Sequence, residues 1–168
     1  MALSSSTLAA GIEAMPLTLD ENEVINGLVS AWENYFGEST VSGITATPGS
    51  FDAGLSAMQS ALVGISTPGS GATVLAAGVS AFWTGIASLA TSIWITSPIV
   101  LVPPIVPPTG LAELAAAITA AGNANLAAKA SQSDAAATIA AAIHTNGGLG
   151  ALVPGSVPPA TPAPLSIL

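Results

Sequence analysis

Basic residues are nearly missing from this sequence. Lys129 stands alone against nine carboxylates, leaving a net charge of −8. Neutralising phosphates takes several Lys or Arg, so direct nucleic-acid binding is excluded as a function class. Charged residues of both signs make up only 6% of the 168 residues, against about 25% in an ordinary soluble domain. A chain wetted on every side keeps more charge than this, so the surface is expected to be covered, by lipid or by partner proteins. Cysteine is absent, which removes disulfides, thiolate metal sites and cysteine nucleophiles. Aromatics amount to 4% although about half of the chain is hydrophobic. The apolar material is therefore mostly Ala, Leu, Ile and Val. Small side chains bury little area each, and the expectation is a thin core that leans on neighbours.

The residues that chemistry requires are equally sparse. His144 is the only histidine; without further donors it makes no metal site and without an orienting group no catalytic base. At the end of an Ala-rich helix it is read as complementing the helix dipole and capping carbonyls. Asp20, Glu21 and Glu23 form the one carboxylate cluster, and negative charge in the first turn of a helix accounts for it better than a cation site does. Ser4-Ser5-Ser6 has no base nearby and reads as a helix cap. Gly147-Gly148-Leu149-Gly150 follows a helix rather than a strand, the wrong context for a phosphate loop. No catalytic, cofactor-binding or metal-ligating residue is assigned, and the chain is read as a non-enzyme without cofactors.

What the sequence does contain is helical periodicity broken by proline and glycine. Leu8, Ile12 and Met15 mark a first helix over 4–15, ended by Pro16. Asp20, with Glu23 three residues on, predicts a capping box at the start of a second helix, whose stripe runs from Val24 to Phe36. Residues 40–49 are rich in turn formers. Phe51, Leu55, Met58, Leu62 and Ile65 predict a third helix, and Thr67-Pro68-Gly69-Ser70-Gly71 breaks it. A fourth is expected over 73–96, apolar on nearly all sides and therefore central, with Gly78 and Gly85 allowing close approach of a neighbouring helix.

Residues 98–108 alternate proline with aliphatic β-formers and should be extended. A fifth helix over 110–130 uses Leu111, Leu114, Ile118 and Leu126. A sixth is capped by Ser131 to Asp134, carries Ile139 and Ile143, and ends at Asn146-Gly147-Gly148. Five prolines between 154 and 164 make the last residues an extended arm. The fold class is all-α: five or six helices in hairpins over residues 1–150, with an extended linker at 98–108 and a C-terminal arm at 151–168. Trp32, Phe82, Trp83 and Trp94 are the expected packing anchors. Val100, Leu101 and Val102 of the linker, with Leu165, Ile167 and Leu168 of the arm, are the expected grips on neighbouring subunits.

The N-terminus lacks a basic n-region and Glu13 interrupts any apolar run, so no secretory signal is expected. Residues 72–97 could by length cross a bilayer, and a small membrane protein is the alternative reading. The missing bases on both flanks and the Ser, Thr and Gly within the window weigh against it.

The opening Met1-Ala2-Leu3-Ser4-Ser5-Ser6-Thr7-Leu8, the Ala31-Trp32 pair followed by aromatics and the uncharged Ala81-Phe82-Trp83 helix begin a recognisable layout. The run Pro107-Pro108-Thr109-Gly110-Leu111, the Ala-rich helix Ala135-Ala136-Ala137-Thr138-Ile139-Ala140 and the proline-rich tail complete it. This layout resembles the small Ala/Gly-rich virion structural proteins of tailed bacteriophages, encoded among their head-tail, tail and baseplate genes. It departs from them in its shortage of Lys and Arg. The resemblance implies a non-enzymatic subunit of the virion, assembled in the host cytoplasm and partnered by copies of itself and by other virion proteins.

Overall fold

The structure, a computed structural model, describes residues 3–18, 20–41, 44–94, 101–148, 151–154 and 165–166. The fold is all-α with a small share of strand. α1 (Ser5–Glu13) begins at Ser4, whose side chain accepts from the Ser6 N–H. α2 (Glu21–Gly37) begins at Asp20, whose Oδ1 accepts from the N–H groups of Asn22 and Glu23 at 2.8 and 3.4 Å. The reciprocal half of the expected capping box is different: the Asp20 N–H goes to Thr18 Oγ1 at 3.0 Å rather than to Glu23. The turn-rich connection that follows holds a small antiparallel hairpin, β1 (Thr40–Val41) and β2 (Ile44–Thr45).

α3 (Asp52–Ala61) and α4 (Gly71–Ile86) form the first helical hairpin. Their crossing sits on two glycines: a methyl group at Gly85 would lie 2.8 Å from the Gly54 Cα and 3.0 Å from the Ala53 carbonyl oxygen. The backbones therefore meet with no side chain between them. α4 stops at Ile86, ten residues short of the expected end. There the Ala87 carbonyl accepts from the Ile105 N–H at 2.7 Å, and a single turn, α5 (Ala90–Ile93), swings Trp94 inward. Trp94 donates through Nε1 to the Ser39 carbonyl at 3.4 Å and packs on Phe36, while the Ile93 carbonyl accepts from the Thr47 N–H. Among the described residues, no helix is long and apolar enough to cross a membrane.

β3 (Leu101–Val106) is extended as expected, but its partner lies within the chain. It pairs antiparallel with β4 (Ala151–Pro154), which pairs with β5 (Leu165–Ser166). The register slips between Val102 and Ile105, where Pro103 and Pro104 have no N–H to give to a ladder. The linker and the tail, expected as two separate arms, thus join each other in one small sheet.

α6 (Leu111–Ala128) and α7 (Gln132–Ile143) form the second hairpin, turned by Lys129 in the left-handed conformation (φ 50°). Ser131 caps α7 by accepting from the Asp134 N–H. Past Ile143 the helix continues as a π-helical turn, His144–Gly148, which runs to the glycines expected to end it. α1 lies across α2 and α7, and α4 lies against α6.

All seven aromatic residues are buried and form one cluster. Phe36 is its hub, edge-on to Phe51, Phe82 and Trp83 at centroid distances of 5.1, 4.7 and 5.7 Å. Trp32 meets Phe82 edge-on at 5.4 Å. Such pairs add about 0.5–1.5 kcal/mol each beyond the area they bury. The thin, Ala-dominated core expected from composition is therefore corrected: few aromatics suffice because every one is spent in the same place.

Candidate functional site

Two features stand out from the packed interior. The first is a buried polar pair. Tyr35, on the inner face of α2, and His144, at the start of the π turn, meet with Tyr35 Oη 2.7 Å from His144 Nδ1. Burial pushes the Tyr35 hydroxyl well above the ordinary phenol range, so the phenol stays protonated beside the imidazole. Gly148 borders the hydroxyl so closely that a methyl group there would overlap it. One turn away, Trp83 Nε1 donates to the Gly147 carbonyl at 2.7 Å. The wider spacing of a π turn thus delivers one carbonyl to Trp83 and one imidazole to Tyr35. The sequence reading of His144 as a cap for helix carbonyls is corrected: its Nδ1 faces a phenol from a helix more than a hundred residues away.

The pair is wholly enclosed at Tyr35, and among the described residues no further side chain is hydrogen-bonded to it. It is a fixed joint between α2, α4 and the end of α7. Among the described residues, no three His, Cys, Asp or Glu side chains group as metal ligands would.

The second feature opens to solvent. An apolar groove of about 530 Å³ lies where the end of α1, the starts of α2, α4 and α7, and the middle of α6 converge. Pro16 ends α1 and turns the chain outward, leaving Met15 and Leu17 on one lip. Val24 and Leu28 of α2, Ile65 of the α3–α4 loop, Leu75 of α4 and Ile118 of α6 line it as well. α7 contributes Ala135, Ala136 and Ile139. Its two methyl groups are too short to fill the gap that longer side chains would close, and that is why a groove exists here. Gln132 is the one polar liner, and it is held in place: its Nε2 donates to the Glu13 carbonyl at 2.9 Å, while Ser133 Oγ donates to the Glu13 carboxylate at 3.2 Å. Leu17 is 89% exposed at the mouth.

The residues singled out from sequence divide between interior and margin. Trp32, Phe82, Trp83 and Trp94 are all brought together in the aromatic cluster and touch no solvent. Leu101 and Val102 lie on β3, paired with Pro154 and Val153, and Leu165 lies on β5, paired with Leu152. Val100, Ile167 and Leu168 lie outside the described residues. Leu126, expected on the apolar stripe of this helix, is 80% exposed on the outer half of α6, where no described element covers it.

Sequence reasoning missed the groove and the Tyr35–His144 pair. The available signal for the groove was Leu17, a large apolar residue just past a helix-stopping proline. Nothing in the linear pattern linked Tyr35 to His144. No family model, no curated protein and no solved structure matches this chain.

Proposed function

We propose that this chain is a non-enzymatic structural subunit of a tailed-phage virion, one that works by packing against copies of itself and against other virion proteins. The observation that carries the structural reading is the open apolar groove with Leu17 exposed at its mouth. Apolar surface of this kind gains free energy when a partner covers it, at about 25 cal/mol per Å² removed from water. The outer half of α6 supports the same reading: it carries no charge between Glu113 and Lys129 and exposes Leu126. The virion setting rests on the resemblance of layout described above. Proteomic mass spectrometry of purified particles from a culture producing the encoding phage tests it. The chain should be present at a fixed ratio to the other structural proteins. Recovery only from the membranes or the soluble fraction of the producing cell would overturn the virion assignment.

A further inference from the structure

The connection between α1 and α2 holds Leu17 out in solvent, and it does so with fixed geometry. The Thr18 N–H donates to the Pro16 carbonyl at 3.0 Å, which makes Leu17 the apex of a three-residue turn. The Asp20 N–H donates to Thr18 Oγ1 at 3.0 Å and fixes the far side of that turn. On the near side Met15 is seated on α2, where a methyl group at Gly27 would lie 2.9 Å from the Met15 Cγ. Pro16 between them has a fixed φ. The leucine is thus presented, 89% exposed, by a strip with little freedom left to lose. Beside it the groove leads inward to Leu75, Ile118 and Ala136, which are buried. None of the described residues lining the groove carries a charge, and the strip from Ala14 to Thr18 carries none either.

From this geometry we infer that a second copy of the chain closes the groove, each copy placing its Leu17 in the groove of the other across a two-fold axis. A two-fold contact needs a surface that is complementary to itself, so that residue i meets residue j and j meets i. A fixed apolar knob on the lip of an apolar groove is such a surface. Charge limits where two copies can meet. Each brings a net charge of −8, and like charges brought together across an interface oppose docking. A contact made by uncharged groups on both sides keeps carboxylates out of its centre. The ordering cost is low as well, because the turn already holds the knob in place before the copies meet. The inference rests on the structural-subunit reading and names the partner at its groove; other virion proteins then meet other surfaces.

Sedimentation equilibrium of the full chain tests it. The chain should dimerise, and more tightly as salt is raised, because screening relieves the repulsion between two acidic copies and leaves the apolar contact in place. Leu17→Asp changes a side chain already in solvent, and an unaltered far-UV circular dichroism spectrum shows that the fold is kept. It should weaken dimerisation about a hundred-fold, about ten-fold for each of the two copies of the contact. The chain has no cysteine, so a cross-link gives a second reading. A Leu17→Cys chain mixed with an Ala135→Cys chain under mild oxidation should form the mixed disulfide in preference to either like pair, since Ala135 is a half-buried liner of the groove. A chain monomeric at every concentration, a dimer that salt weakens, a dimer indifferent to Leu17→Asp, or a mixed disulfide no more abundant than random pairing gives would each overturn the inference. The first would leave the groove to a different protein, and the third would move self-association to another surface. The particle proteomics reads separately: a chain found in virions that stays monomeric by itself keeps its structural role and loses this contact.

Discussion

At the scale of single residues, the joint between α2 and the π turn is the most exacting part of the molecule. Tyr35 is the only tyrosine, so its ionisation can be followed by absorbance with no other phenol in the signal. Its folded-state pKa is raised by burial, whereas an unfolded phenol titrates near 10. The unfolded state therefore loses its proton first as pH rises. The stability that depends on the neutral phenol is complete below about pH 10 and falls above it by about 1.4 kcal/mol per pH unit. Tyrosinate absorbance should appear together with loss of helical signal; a phenol titrating near 10 while the fold stays intact would show that Tyr35 is solvated. Tyr35→Phe should remove this alkaline sensitivity while costing about 1–3 kcal/mol for the orphaned His144 nitrogen. Gly148→Ala drives a methyl group into the Tyr35 hydroxyl and should cost about 1–3 kcal/mol in denaturant melts. Truncating Trp32, Phe82 or Trp83 to Ala should cost about 3–5 kcal/mol, a large share of the roughly 5–15 kcal/mol that stabilises a domain.

Elements show where local signals and long-range contacts part company. Gly78 and Gly85 were readable as sites of close approach, and both are: a methyl group at Gly78 would lie 2.8 Å from Leu62 Cδ2, and one at Gly85 would meet the backbone of α3. Gly85→Ala should therefore push α3 from α4 and lower the melting temperature, whereas Gly122→Ala on α6, with open space around it, should leave it unchanged or raise it. The small sheet gives the second prediction at this scale. Deleting residues 151–168 removes β4 and β5 and leaves β3 without a ladder partner, but Ile105 stays bonded to Ala87 at the end of α4. Far-UV circular dichroism should show the helices intact, and incorporation of the truncated chain into particles should fall. Normal incorporation and stability would remove the tail from any part in assembly.

At the scale of the whole molecule, a well-filled interior coexists with an under-charged exterior. The proposed packing against copies of itself would draw on that exterior. Sedimentation velocity across the micromolar range should show a weight-average coefficient that rises with concentration. A single monomer species throughout would count against self-association.

Much of this architecture was legible in the chain itself. Proline and glycine punctuation placed the breaks, Ser4, Asp20 and Ser131 placed three helix starts, and apolar stripes at helical spacing placed both hairpins, because caps and periodicity act within a few residues. The shortage of charge and of reactive side chains likewise needed no coordinates. Tertiary structure alone decided the rest. It ended α4 at Ile86, because the pull of Trp94 into the aromatic core outweighed a local sequence fit for helix. It joined the linker to the tail, brought Tyr35 to His144, left Leu126 in solvent, and opened a groove where two alanines face longer side chains. Each of these depends on which surfaces meet across tens of residues, and helical periodicity carries no information about what stands on the other side.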